Sequence, residues 1–154
     1  CDFGNVSCAG AINEACAAAE GVIWCASGFD ASGQLIDMNA IAQFTQALKA
    51  RADEGDAPSP RFVMLSSAGV TRTSWSDAKK KRLVGAADIP IVRLNPGGVL
   101  EKKRAAEQLL RDSGVPYCIV RPTGLKDDWP AGRPILSQGD VAVGRTSPAD
   151  LAEV

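Results

Sequence analysis

Residues 100–125 read LEKKRAAEQLLRDSGVPYCIVRPTGL, and this stretch decides the fold. Its first half places apolar residues at helical spacing without a β-branched interruption, which predicts a helix. Gly114 suits the left-handed position that ends a helix, and Pro116 makes a restart unfavourable. Residues 117–120, YCIV, are typical of a strand buried on both faces. Residues 121–124, RPTG, then form a turn at the strand's carboxyl end, where open α/β sheets bind ligands.

Two earlier segments predict strands of the same kind. Residues 22–26 read VIWCA and end in the turn Ala26-Ser27-Gly28, and residues 61–65 read RFVML and end in Ser66-Ser67-Ala68-Gly69. Right-handed crossovers bring the carboxyl ends of such strands to one edge of a parallel sheet. Small side chains there let a ligand approach the backbone, although small residues are also common in ordinary turns.

Helical patterns separate these strands. The alanine-rich residues 12–19 and the amphipathic residues 38–52 predict helices, with Asp37 as the cap of the second. Residues 89–94 read as a short extended piece. Ser147-Pro148 is a typical start of a further helix. The alternation of strand and helix predicts an α/β fold with a doubly wound parallel sheet, Rossmann-like, in a single domain over residues 1–154.

Three polar segments have no strong periodicity. Residues 2–5 read as a loop and helix cap, and residues 53–60, DEGDAPSP, read as a solvated loop. The run Lys79-Lys80-Lys81-Arg82 could be mistaken for a nucleic-acid patch. Because the run is short and the chain is slightly acidic, a solvated surface helix or loop is the better interpretation.

Composition limits the class of function. The 154 residues have a net charge of −1 and 45% hydrophobic residues, as in an ordinary globular domain. This balance argues against nucleic acid as the main partner. No apolar run approaches the roughly 20 residues of a membrane span, so no span is expected.

The chain has five cysteines and no histidine. No C-x-x-C pair occurs, so we expect small buried cysteines in a reducing intracellular compartment. The absence of histidine excludes Ser-His-Asp and Cys-His catalysis within these residues, and we expect no metal site.

Three phrases carry a family resemblance: FVMLSSAGVTR (62–72), NPGGVLEKKRAAEQLLRDSGVPYCIVRPTGL (95–125) and GDVAVGRTSPADLAEV (139–154). They resemble the atypical short-chain dehydrogenase/reductases of the NmrA-like, NAD(P)-binding type, a group that includes several plastid proteins. The resemblance implies a Rossmann sheet that binds NAD(P) at the carboxyl ends of its strands, with NADP favoured over NAD. It also implies the cytoplasm or the plastid stroma as the compartment.

The resemblance assigns roles to individual residues. Ser67 and Lys103 are the catalytic candidates, and Glu107 matches the glutamate that follows the family's lysine four residues later. The cofactor candidates are Asp2 at the adenine amine; Ala26, Ser27 and Gly28 at the adenosine ribose; Ser66 and Ser67 at the end of the catalytic strand; Lys103; and Pro122, Thr123 and Gly124 beside the nicotinamide.

Two departures from the family pattern bear on function. Catalytic members have a tyrosine four residues before the lysine, as general acid/base, and this position is Val99. Tyr117, the single tyrosine, falls in a strand predicted to be buried. No G-x-G-x-x-G follows an opening strand, although that motif normally holds the pyrophosphate. We therefore expect a domain that is incomplete at its N-terminus and also at its C-terminus.

Three functions remain open from the sequence. The first is an NAD(P)-binding domain, either a weak oxidoreductase or a protein that binds the cofactor without catalysis. The second is a scaffold or assembly factor that uses a degenerate Rossmann fold to bind a protein partner. The third is a flavodoxin-like or other doubly wound binding module. Val99 makes non-catalytic cofactor binding the preferred form of the first.

Overall fold

A computed structural model describes residues 8–53 and 60–154 of the chain. The expectations for Asp2, for the cap at residues 2–5 and for most of the loop at residues 53–60 lie outside the described residues. The chain divides into two compact units, Cys1–Leu65 with Lys102–Val120, and Ser66–Glu101 with Arg121–Val154. They are called unit 1 and unit 2 below.

Helices and strands alternate along the chain. The helices are α1 (Ala9–Ala17), α2 (Ile36–Asp53), α3 (Asp77–Arg82), α4 (Val84–Ala87), α5 (Pro90–Leu94), α6 (Val99–Asp112) and α7 (Pro148–Ala152). The strands are β1 (Gly21–Trp24), β2 (Arg61–Leu65), β3 (Tyr117–Val120), β4 (Gly124–Leu125) and β5 (Arg145–Thr146).

Unit 1 is built on a parallel sheet in the order β1-β2-β3. Val22 pairs with Phe62, which pairs in turn with Tyr117. The three strands are those predicted from the apolar runs, except that β1 ends at Trp24, two residues early. The α/β class with a parallel, Rossmann-like sheet is confirmed.

The core of unit 1 lies on one face of this sheet. The cluster combines Trp24, Phe62 and Met64 from the strands with apolar residues of α1, α2 and α6. The prediction of strands buried on both faces is wrong for β1 and β3. Ile23 is 73% exposed and Cys118 is also exposed, because alternate side chains point to opposite faces and these helices pack against the other set.

Helix α6 ends where the sequence predicts. It ends at Asp112, and Gly114 has the expected left-handed backbone with φ of 77°. Helix α2 begins one residue earlier than its predicted cap. Asp37 is the second residue of α2 and is fully buried, so its role as a flanking cap was wrong.

Unit 2 contains α3, α4, α5, α7 and the parallel pair β4-β5. The prediction of an extended piece at residues 89–94 was wrong, because Pro90 starts α5 and Asn95, with φ of 31°, ends it. The run 79–82 lies in the surface helix α3. Ser147 caps α7 by accepting a hydrogen bond from the Asp150 backbone N–H, as predicted.

Candidate functional site

The turn after β1 lies at the carboxyl edge of the unit 1 sheet. Ala26 and Ser27 are exposed and Gly28 is half-buried. The carbonyl of Gly28 accepts a hydrogen bond of 3.0 Å from the Ile36 backbone N–H at the start of α2. A Cβ added at Gly28 would meet nothing within 4 Å. The turn therefore offers accessible backbone and open space to a ligand.

The loop from β1 to α2 is held by side chains. Asp30 Oδ1 accepts hydrogen bonds from the Ser32 hydroxyl at 2.6 Å and from the backbone N–H groups of Ser32 and Gln34, both at 2.9 Å. The Ser32 hydroxyl bond is the main reason that the pKa of Asp30 lies below its ordinary value. From α6, Lys102 Nζ donates to the Gly33 carbonyl at 2.8 Å and lies 4.8 Å from the centre of the Phe29 ring.

Lys103, the residue after Lys102, contacts the first turn of α2. Its Nζ lies 3.2 Å from Asp37 Oδ1, and the two side chains are 9% and 0% exposed. The helix that follows a strand begins at that strand's carboxyl end, and α6 runs back toward the start of β3. Lys103 and Asp37 therefore lie at the carboxyl edge of the sheet, and Asp37 benefits from the positive end of α2.

The candidates in unit 2 form a second group. Ser66 is buried, and it directly follows the last residue of β2. The Ala68 backbone N–H donates to the Pro122 carbonyl at 3.0 Å, which joins the segment after β2 to the segment after β3. Ser67 Oγ donates to the Ala68 carbonyl at 2.9 Å. The structure thus brings the predicted serine pair and the predicted Pro122 turn together.

Thr123 and Gly124 contact the two residues of β5 in unit 2. The hydroxyls of Thr123 and Thr146 lie 2.8 Å apart. Gly124 begins β4 and is aligned with Arg145 in β5. A Cβ added at Gly124 would lie 3.0 Å from the Arg145 guanidinium, so this position favours a small residue for packing.

A buried ion pair, which the sequence analysis did not predict, supports the segment after β2. Asp140 Oδ1 accepts from the Gly69 N–H at 2.8 Å, and Oδ2 accepts from the Thr71 N–H at 2.9 Å and the Thr71 hydroxyl at 2.8 Å. Arg72 Nε donates to the Asp140 carbonyl at 2.8 Å. Gly69 has φ of 99°, a backbone conformation that residues with a side chain rarely adopt. This pair fixes the shape of the segment.

The parallel sheet, the accessible turn after β1 and the cation at the sheet's carboxyl edge agree with a comparison to known families. A family of NAD(P)H-binding proteins matches residues 3–154. The chain belongs to this NAD(P)H-binding family.

The residues present fit one part of the dinucleotide that this NAD(P)H-binding family binds. The exposed turn at Ala26 and Ser27, the open space at Gly28 and the Lys103 ammonium suit a ribose with its hydroxyls. The pyrophosphate lacks its usual partner, since no G-x-G-x-x-G occurs in the 154 residues. The adenine contact assigned to Asp2 lies outside the described residues.

The resemblance to short-chain dehydrogenase/reductases assigns a catalytic tyrosine to position 99, which has no titratable group here. Val99 is the half-buried first residue of α6. Tyr117 was expected to be buried, and the structure corrects this, because its side chain is 46% exposed. It still cannot replace the missing tyrosine, since it begins β3 and lies at the amino edge of the unit 1 sheet, opposite the edge with Lys103.

Sequence reasoning missed the contacts of two residues in unit 1, Asp37 and Lys102. Asp37 was assigned a capping role, and its pairing with Lys103 joins residues 66 apart in the chain. Lys102, which no motif of the sequence singles out, anchors the β1–α2 loop. No local pattern marks either contact, since both depend on how α6 packs beside α2.

The described cysteines are not all buried. Cys8 and Cys16 are buried, and Cys25 and Cys118 are exposed, so the expectation of buried cysteines is wrong for the latter two. Burial raises the pKa of the Cys16 thiol, and the Arg51 charge opposes this shift. Residues 8–53 and 60–154 contain no cluster of three potential metal ligands. No helix within those same ranges is both long and apolar enough to cross a membrane.

A shallow groove of about 320 Å³ lies on unit 1, away from the residues described above. It is lined by Ala42, Thr45, Gln46, Lys49, Leu109, Asp112 and Ser113. These residues belong to the later turns of α2 and to the end of α6, toward the amino edge of the sheet. The groove is therefore not part of the candidate cofactor site.

Proposed function

We propose that this chain is the NAD(P)-binding domain of an atypical, NmrA-like short-chain dehydrogenase/reductase-type protein that binds the cofactor with little conventional dehydrogenase activity. NADP is the preferred form, and the compartment is reducing, either the cytoplasm or the plastid stroma. The observation that carries the proposal is the buried ammonium of Lys103 at the carboxyl edge of the sheet, with Val99 at the position of the catalytic tyrosine.

Each part of the domain has a proposed task. Ala26, Ser27 and Gly28 border the adenosine ribose, and Lys103 donates hydrogen bonds to ribose hydroxyls. Ser66, Ser67, Pro122, Thr123 and Gly124 are the candidates for the nicotinamide end. When bound, NAD(P)H would supply a hydride. Ser67 could donate a hydrogen bond to a substrate carbonyl only by releasing the Ala68 carbonyl, and a serine hydroxyl is too weak an acid to deliver the proton.

The pyrophosphate is the part of the cofactor that these residues do not hold. We propose that a glycine-rich unit outside residues 1–154 supplies its N–H donors. Residues 1–154 alone should then bind NADPH weakly or not at all. Calorimetry that shows micromolar binding by this segment would contradict the proposed division of the site.

The proposed function is tested by measuring binding and turnover on the same protein. We expect NADPH to bind the full-length protein, and a screen of carbonyl substrates to show little NADPH oxidation. General acid/base catalysis typically contributes about 10²–10⁴-fold, so Val99→Tyr should raise turnover of any accepted carbonyl. Robust turnover by the wild type would contradict the non-catalytic form of the proposal.

The alternative function, a scaffold or assembly factor with a degenerate Rossmann fold, gives a different result in the same titration. A scaffold that has lost the cofactor would bind neither NADPH nor NADH at millimolar concentration. The same outcome would apply to an unrelated doubly wound module with another ligand. Specific NADPH binding excludes both alternatives.

A further inference from the structure

We propose that Asp37 is a positioning residue that aims the Lys103 ammonium at the cofactor ribose; this inference rests on the proposed function above. Asp37 lies in the first turn of α2, and Lys103 lies in the second turn of α6. Their atoms Nζ and Oδ1 lie 3.2 Å apart. Asp37 itself is fully buried and has no path to a ligand of its own.

The pair is incomplete as a structural ion pair. Within the described parts of the chain, Asp37 Oδ2 is buried and has no hydrogen-bond partner. An ammonium has three N–H donors, and the described contacts use one of them for Asp37 Oδ1. Buried polar groups normally satisfy their hydrogen bonds, so an unsatisfied pair calls for an explanation. For Lys103, the explanation is that the ammonium N–H groups that Asp37 does not use are left for a ligand.

The surroundings restrict where the ammonium can point. The Lys103 side chain is 9% exposed, so only a small part of it can meet a ligand. The neighbouring Lys102 fixes the β1–α2 loop through the Gly33 carbonyl and the Phe29 ring. Successive residues of α6 thus hold both the loop that contains the ribose turn and the start of α2. Asp37 draws Nζ toward this edge and leaves the remaining N–H groups for hydroxyl oxygens.

A ribose suits these remaining donors. Its two neighbouring hydroxyls can each accept a hydrogen bond from one ammonium, and charge-assisted hydrogen bonds are stronger than neutral ones. Without Asp37, the flexible lysine stem would have several rotamers, and binding would have to restrict them. Loss of the Asp37 carboxylate should therefore weaken cofactor binding only when Lys103 is present.

A double-mutant cycle tests this dependence. NADPH dissociation constants are measured for the full-length wild type, Asp37→Asn, Lys103→Met and the double variant, with exposed Asp77→Asn as the matched control. We expect Lys103→Met and Asp37→Asn each to weaken binding about tenfold, the effect of one hydrogen bond to a charged group. In the Lys103→Met background, Asp37→Asn should add no further loss.

The outcomes separate this inference from the function on which it rests. If Lys103→Met leaves NADPH affinity unchanged while NADPH still binds, the role assigned to Lys103 fails. If Lys103→Met weakens binding and Asp37→Asn does not, Lys103 keeps its role and the positioning role of Asp37 is overturned. Equal losses from Asp37→Asn in both backgrounds would show a general structural effect and would also overturn it.

A second variant covers the case in which Asp37→Asn does not fold. Asp37→Glu keeps the charge but displaces it along a longer side chain. We expect this variant to fold, as judged by circular dichroism, and to weaken NADPH binding only when Lys103 is present. Wild-type affinity in folded Asp37→Glu would contradict a role that depends on the position of the carboxylate.

Discussion

Two buried ion pairs among the described residues differ in how fully they are satisfied. In unit 2, Arg72 and Asp140 are 0% and 1% exposed, and Arg72 also donates to the carbonyls of Ala86 at 2.7 Å and Ala142 at 2.6 Å. In unit 1, Lys103 and Asp37 share one contact, and Asp37 Oδ2 lacks a partner among the described residues. The saturated Arg72–Asp140 pair organises its own surroundings, whereas we propose that the unsaturated Lys103–Asp37 pair retains donors for a ligand.

The type of cation contributes to this difference. A guanidinium has five N–H donors in a rigid plane, and Arg72 uses them to connect Asp140 with the backbone of two segments. An ammonium is a compact charge on a flexible stem, so its direction has to be set by a neighbour. Arginine suits the structural position in unit 2, and lysine suits a position that meets a ligand.

The largest effect is expected when the saturated pair is broken. Arg72→Met would leave the Asp140 carboxylate buried without its cation, and the carbonyls of Asp140, Ala86 and Ala142 would lose the arginine donor. We expect a loss of about 3–5 kcal/mol in the free energy of unfolding, measured by urea denaturation. Arg93→Met is the control, since Arg93 and Asp88 form an exposed pair at 3.7 Å. A loss no larger than that of the control would remove the distinction between the two pairs.

A smaller effect on stability is expected when the whole unsaturated pair is replaced. Neutral residues in place of both members of a buried pair are often tolerated, because the cost of burying the charges disappears. The free energy of unfolding of Asp37→Asn/Lys103→Met should therefore stay within about 1 kcal/mol of the wild type. A loss as large as that of Arg72→Met would mean that this pair is also mainly structural.

The smallest effect concerns Asp30, a half-buried carboxylate that sharpens the contrast with the fully buried ones. The Ser32 hydroxyl is the main cause of its lowered pKa. A carboxyl whose folded-state pKa is lowered stabilises the fold above its unfolded pKa, and this contribution is lost as the pH falls through the folded value. Ser32→Ala should raise the Asp30 pKa toward its ordinary value in an NMR titration. An unchanged pKa would show that the hydroxyl contact is not maintained in solution.

The strands were predictable, but the exposure of their faces was not. A continuous apolar run such as residues 117–120 identifies a strand, yet it does not show which side another element covers. Cys118 and Ile23 are therefore exposed although their runs predicted burial. Residues 89–94 favoured an extended piece through their β-branched side chains, but Pro90 and Asn95 define a short helix.

The candidate site was only partly predictable for a related reason. Ala26 and Lys103 lie on segments whose motifs could be read from the chain. Asp37 gave only the signal of a helix cap, and its contact with Lys103 depends on the packing of α2 beside α6. Arg72 and Asp140 are 68 residues apart, and no spacing rule connects them.

The central claim is that Lys103 contacts NAD(P)H, and one spectrum tests it directly. The full-length protein is labelled with ¹³C at lysine Cε and titrated with NADPH, with Lys103→Arg used to assign the Lys103 signal. We expect the Lys103 signal to shift to saturation while that of exposed Lys81 does not move. A Lys103 signal that stays unchanged when NADPH is bound would contradict a contact between Lys103 and the cofactor.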